Sequence, residues 1–207
     1  MPKKNLKILL LGDSSVGKTS LMNSFINTDF TALYRPTIGA DFLCKELQLG
    51  KTNVKLQIWD TAGQEQWFTS MGSAYYRGAD CVILIYDICS AKTLQNLDQW
   101  RNDFLQNSGI QNIQKFPFII LGNKVDLIDQ QTVSEARGRS FAESRGGNFK
   151  HFQVSAKNGE GVENAFRIGA EMALEVGGDG GEVEGEDFVI EAVEENEIAK
   201  GRGKGCC

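Results

Sequence analysis

Three short apolar runs, residues 8–11, 81–86 and 116–121, are each followed at once by Gly or Asp and then by a polar loop. Runs of this length without polar alternation read as strands buried on both faces. Between and after them apolar positions recur at helical spacing. The first set is Leu21, Met22, Phe25 and Ile26, the second Leu94, Leu97, Trp100 and Phe104, and the third Val162, Ala165, Phe166, Gly169, Ala170 and Ala173. Strand alternating with helix predicts an α/β doubly wound fold, because a parallel neighbour is reached only through a crossover that a helix supplies.

Residues 40–60 behave differently. Two strand-like runs flank Gly50-Lys51-Thr52-Asn53, a connection short enough for a hairpin, so one antiparallel strand is expected at the edge of a mostly parallel sheet. With a last strand before Ser155 the runs number six strands, and the expectation for a doubly wound sheet of that size is about five flanking helices. In the second run Val54, Leu56 and Ile58 alternate with Lys55, Gln57 and Trp59, which puts Trp59 on the otherwise polar face. Phe42 is likewise out of phase with Leu43, Leu47 and Leu49. Two large aromatics on the solvent-side phase of neighbouring strands predict an exposed apolar patch, the usual mark of a partner-binding surface; the alternative is a loop or helix lying over them.

From Gly177 the periodicity lapses into Gly- and Glu-rich sequence interrupted only by Phe188-Val189-Ile190. The expected organisation is one folded domain, residues 1–176, and a disordered acidic tail, residues 177–207. A length of 207 residues with 41% apolar content suits one well-buried core. The net charge of −5 is concentrated in the tail, which holds nine acids and three bases and leaves 18 acids against 19 bases in the body. With no basic stripe, no nucleic-acid partner is expected, since affinity for the phosphate backbone needs clustered Lys and Arg. The five cysteines form no CxxC pair and have no histidine at metal-ligand spacing, so they read as reduced thiols. The lone His151 reads as structural. Lys3-Lys4 before residues 6–11 is too brief for a secretion signal, and no run approaches the ~18 apolar residues of a spanning helix.

Gly12-Asp13-Ser14-Ser15-Val16-Gly17-Lys18-Thr19 matches GxxxxGK[ST] between a predicted strand and a predicted helix, the context that this phosphate-binding loop requires. Gly12 and Gly17 let the backbone N–H groups ring a β-phosphate, the helix N-terminus adds its dipole, Lys18 spans β and γ oxygens, and Thr19 offers a hydroxyl to Mg²⁺. The base is named further on, by Asn123-Lys124-Val125-Asp126 after the third apolar run. Asp126 can accept from both N1–H and the exocyclic amine of guanine, a donor pair that adenine lacks. Lys124 can lie along the base, Asn123 can tie this loop to the phosphate loop, and Ser155-Ala156-Lys157 can supply backbone N–H to guanine O6. In Asp60-Thr61-Ala62-Gly63-Gln64-Glu65, Asp60 is placed to hold Mg²⁺ through water, Gly63 N–H to reach the γ-phosphate and Gln64 to orient the attacking water.

Assembled in this register, residues 5–176 resemble the Ras superfamily of small GTPases, a P-loop NTPase fold, and more specifically its Rab family. The resemblance is carried by Ile38-Gly39-Ala40-Asp41-Phe42, by Trp59 through Glu65, by Tyr75-Tyr76-Arg77-Gly78-Ala79 and by the terminal Cys206-Cys207. The runs 38–47, 78–81 and 116–127 resemble the late-endosomal and vacuolar branch. The resemblance implies a monomeric GTP/GDP switch with Mg²⁺ in which Ser14, Ser15, Val16, Gly17, Ser20 and Tyr34 add nucleotide contacts. It further implies that Phe30 packs beside guanine and that Thr37 closes over Mg²⁺ and the γ-phosphate. Ile38, Phe42, Trp59 and Tyr75 would form the effector surface. The partners it implies are a guanine-nucleotide exchange factor, a GTPase-activating protein, effectors, a GDP-dissociation inhibitor and a Rab escort protein.

Membrane attachment would come from geranylgeranyl chains on Cys206 and Cys207, because two lipids anchor stably where one does not. Pro2 excludes N-myristoylation. The protein would then cycle between cytosol and the cytoplasmic face of late endosome, lysosome or vacuole. No internal arginine finger is identifiable, so hydrolysis should be slow and accelerated roughly 10³–10⁵-fold in trans. Gln66-Trp67 departs from the Arg-Phe that the family usually carries, which removes a charge where regulators bind. A metabolic P-loop kinase is disfavoured by the guanine loop, and a nucleotide-locked scaffold by the presence of Gln64 and Thr37. A Rab-like GTPase of another endomembrane step is the remaining alternative.

Overall fold

The computed structural model describes residues 4–27, 37, 40–61 and 72–178. Its strands are β1 (Lys4–Leu11), β2 (Ala40–Leu49), β3 (Thr52–Thr61), β4 (Cys81–Asp87), β5 (Phe118–Asn123) and β6 (Phe149–Val154). Its helices are α1 (Lys18–Asn27), α2 (Gly72–Tyr76), α3 (Ala91–Asn107), α4 (Glu135–Glu143) and α5 (Val162–Gly178), with a 3-10 turn at Val125–Gln130. The six strands form one sheet in the order β2-β3-β1-β4-β5-β6. All neighbours are parallel except β2 and β3, so the antiparallel strand lies at the edge as expected.

Side-chain alternation along the central strands explains why they read as unbroken apolar runs. Ile8, Leu10, Ile83, Ile85, Ile119 and Leu121 face one way and pack with Leu21, Met22 and Phe25 of α1 and Phe166 and Ala170 of α5. Leu9, Leu11, Val82, Leu84, Phe118 and Ile120 face the other way, onto Leu94, Leu97, Trp100 and Phe104 of α3 and Ala142 of α4. With helices on both faces, both phases of the strand must be apolar. A continuous edge of strand C-termini is left open, where loops can carry chemistry.

Three boundaries differ from the pattern reading. The hairpin connection is only Gly50-Lys51, because Leu49 pairs directly with Thr52 and Gly50 takes the positive φ of 56° that a two-residue turn requires. β5 begins at Phe118 rather than Phe116, since Pro117 has no N–H to give to a ladder. Helix α5 runs on to Gly178, two residues beyond the point where the apolar periodicity lapses. The rest of the tail lies outside the described residues. Helix α4 was not legible as an apolar stripe because it buries only Gly138 and Ala142; its start is marked instead by Ser134, whose hydroxyl accepts from Arg137 N–H at 3.3 Å.

Candidate nucleotide-binding site

The loop between β1 and α1 is held in a conformation few residues adopt. Gly12, Ser15 and Gly17 have φ of 148°, 64° and 98°. A Cβ on Gly12 would sit 2.3 Å from the carbonyl oxygen of Ile85, and one on Gly17 2.4 Å from Asn123 Nδ2, so both glycines are required by close backbone and side-chain approach. Val16 is buried beneath the loop, while Ser14 and Ser15 are exposed and Ser20 is half-buried in the first turn of α1.

Lys18 is buried, and its ammonium donates to the carbonyls of Gly12 and Asp13, each at 2.8 Å. Burial pulls its pKa down to about 8, opposed by the negative charges of Asp60 and Asp13. An anion delivered to this loop would favour the charged form further. Thr19, the next residue, turns its hydroxyl toward β3. It lies 2.8 Å from Thr37 Oγ1 and donates to Asp60 Oδ2, to which Thr37 also donates at 3.3 Å. Asp60 is completely buried, and burial raises its pKa against the opposing pull of Thr19, Lys18 and Thr37. Its second oxygen, Oδ1, is buried with no hydrogen-bond partner among the described residues.

Asn123, at the end of β5, joins three loops. Its Nδ2 donates to Val16 O at 2.8 Å and its Oδ1 accepts from Ala156 N–H at 3.1 Å, so the phosphate loop and the loop after β6 are locked to β5 through one buried amide. Lys124 follows in the left-handed conformation, φ 76°, with its ammonium on Asp87 Oδ2 at 2.6 Å. Asp126 is oriented by Ser155, whose hydroxyl donates to Oδ1 at 2.6 Å, and Lys157 Nζ stands 3.8 Å from Oδ2. Ser155 Oγ also accepts from Lys157 N–H at 3.2 Å, which folds the loop into a tight turn.

The fold brings Lys18, Thr19, Thr37, Asp60, Asn123, Lys124, Asp126, Ser155, Ala156 and Lys157 to one edge of the sheet, each at or just beyond a strand terminus. Phe30, Tyr34, Ile38, Gly63, Gln64, Cys206 and Cys207 lie outside the described residues. Asp13 and Asp87 are contributors that pattern reading passed over. Asp87 closes β4 and in the sequence reads only as the acid that follows an apolar run. Asp13 occupies a variable position of the phosphate loop and meets its partners more than eighty residues away.

The aromatic patch is also in place. Phe42 and Trp59 are directly paired across β2 and β3, with rings stacked at 5.1 Å, and Phe42 remains 50% exposed. Tyr75 of α2 approaches Trp59 at 6.1 Å, and Lys7 Nζ lies 4.4 Å from the Trp59 ring. Neither a loop nor a helix among the described residues covers Phe42.

The fold and its loops define a P-loop protein for a nucleoside triphosphate. The sequence matches the Ras family over residues 7–175. It is 48% identical over 202 residues to the Ras-related protein Rab-7a of Dictyostelium discoideum, which spans 98% of this chain and 96% of that protein. It is 49% identical over 174 residues to the Ras-related protein RABG3f of Arabidopsis thaliana, 83% and 84% of the two chains. The GTP-binding protein yptV5 of Volvox carteri is 45% identical over 206 residues, 99% and 97%. The chain belongs to the Ras family of small GTPases, and within it to the late-endosomal Rab7 branch of the Rabs. It is accordingly a GTP-hydrolysing switch of vesicle trafficking at the late endosome or vacuole, read by regulators and effectors.

Proposed function

We propose that the loops after β1, β3, β5 and β6 form a single Mg²⁺-dependent guanine-nucleotide site with the following division of labour. Gly12 through Lys18 bind the phosphates, and Asp126 reads the base while Lys124 flanks it and Ala156 N–H meets guanine O6. Thr19, Thr37 and Asp60 suit a hard divalent cation: two hydroxyls converge on one carboxylate whose remaining oxygen is buried and unpaired among the described residues. A cation held by these residues would supply positive charge to offset the charge that develops on the phosphoryl oxygens during transfer. The family pattern assigns Gly63 to the γ-phosphate and Gln64 to the attacking water. Thr37 and Gly63 would be drawn in by the triphosphate and released on hydrolysis, which is how partners distinguish the two states.

The partners we assign are an exchange factor, an activating protein, effectors at Ile38, Phe42, Trp59 and Tyr75, a GDP-dissociation inhibitor and an escort protein. Lipid on Cys206 and Cys207 would hold the protein on the cytoplasmic face of its membrane, with the acidic tail as tether to a domain ending near 176. No helix among the described residues is long and apolar enough to cross a membrane.

The observation that carries this reading is the bridge by Asn123 from Val16 to Ala156, which sets the phosphate loop and the Asp126–Ser155 pair in one rigid register. The test is Asp126→Asn. It should weaken GTP binding by roughly 10⁴-fold, the scale of discrimination lost when a site's polar groups go unpaired, and turn preference toward xanthosine triphosphate. Unchanged GTP affinity would refute the assignment of the base.

A further inference from the structure

Asp13 poses a problem that the family's chemistry does not by itself resolve. It places a carboxylate inside the loop that must cradle a polyphosphate, where a like charge turned inward would repel the ligand. Its side chain is turned away and held by two donors from α3: Trp100 Nε1 reaches Oδ1 at 2.8 Å and Asn96 Nδ2 reaches Oδ2 at 2.7 Å. Those two residues lie four apart, on one face of the helix, so a single straight element offers both donors at fixed spacing. Trp100 is itself packed into the core beneath α3. The main-chain carbonyl of the same Asp13 accepts from Lys18 Nζ at 2.8 Å. Fixing the side chain therefore fixes the carbonyl that positions the phosphate-binding ammonium.

We propose that Asn96 and Trp100 are positioning residues for nucleotide retention, acting through Asp13 by holding its carboxylate on α3 and away from the phosphates. Both donors are neutral, so they stabilise the charge without adding a competing cation to the loop. Helix α3 thereby becomes part of the nucleotide grip through its two hydrogen bonds to Asp13. The inference rests on the phosphate-loop reading above.

The test is the release rate of a fluorescent GDP analogue from the full-length protein loaded with Mg²⁺, followed by stopped flow against excess GDP. Asn96→Leu removes one donor from a half-buried position. It should accelerate release about tenfold, the scale of one hydrogen bond to a charged acceptor. In an Asp13→Asn background, where no charge remains to be steered, the same Asn96→Leu change should move release by about twofold or less. Trp100→Phe provides a second arm with the same expected background dependence. Equal acceleration in both backgrounds would show that the donors act through the fold alone, and no acceleration in either would show that the carboxylate needs no steering; each overturns the proposal. Failure of the unsubstituted protein to retain any GDP would instead count against the nucleotide-site reading itself.

Discussion

His151, the one histidine of the chain, shows how much a residue's behaviour depends on what the fold stacks around it. On β6 it lies beneath α4 with Nε2 3.1 Å from the Tyr86 hydroxyl, in space that exists only because Gly122 and Gly138 lack side chains. A Cβ on Gly138 would meet His151 Nε2 at 2.3 Å and the Tyr86 hydroxyl at 2.4 Å. An imidazolium here would need two acceptors, whereas Nδ1 is buried with none among the described residues. Burial accordingly pulls the pKa from 6.5 down to about 4, with Glu135 opposing and Arg139 adding to the shift. Because the folded value lies below the unfolded one, the unfolded chain takes up a proton first as pH falls. Stability is then lost between about pH 6.5 and 4 and is insensitive to this group above 7. Urea midpoints measured across that range should fall more steeply for the native protein than for His151→Gln; identical slopes would exclude His151 as the cause.

Secondary elements meet at the site through a few buried polar groups rather than through apolar contact. Asn123 is the clearest case, since it is 2% exposed and bonds to loops that follow two other strands. Replacing it with Ala would strand the carbonyl of Val16 and the N–H of Ala156 without their partner, at a cost of about 1–3 kcal/mol each before relaxation. Asn123→Ala is therefore expected to lower the denaturation midpoint and to speed GDP release together, and a change in stability with unaltered release would separate the two roles. The hairpin of β2 and β3 obeys a different rule. Strand phase alone places Phe42 and Trp59 on the half-exposed face, and the structure brings Tyr75 from α2 to join them.

At the scale of the whole molecule, charge is divided between a nearly neutral stretch up to residue 176 and an acidic one beyond it. With only Lys200, Arg202 and Lys204 near Cys206 and Cys207, the proposed attachment would gain little from electrostatic attraction to anionic lipid and should depend on lipid at the two cysteines. A fluorescently tagged chain lacking both cysteines is expected to become diffuse in cells, while purified material still binds GTP. Persistent labelling of endomembranes would show that another anchor suffices.

Local order along the chain is enough to identify the fold class, the phosphate-loop motif and the aromatic pair, because each of these is encoded in spacing within a strand, a turn or a helix start, and it marks Asn123-Lys124-Val125-Asp126 as the loop proposed to read the base. What spacing does not encode is proximity between distant segments. That Asp60 meets Thr19 and Thr37, that Ser155 aims Asp126, and that α3 reaches across more than eighty residues to hold Asp13 were decided only when the crossovers packed on the sheet. The polar helix α4 belongs to the same class, since its place depends on fitting a glycine over Tyr86 and His151 rather than on any apolar stripe of its own. Periodicity reports how a segment divides water from core, whereas the partners of a buried polar group are set by which elements tertiary packing makes neighbours.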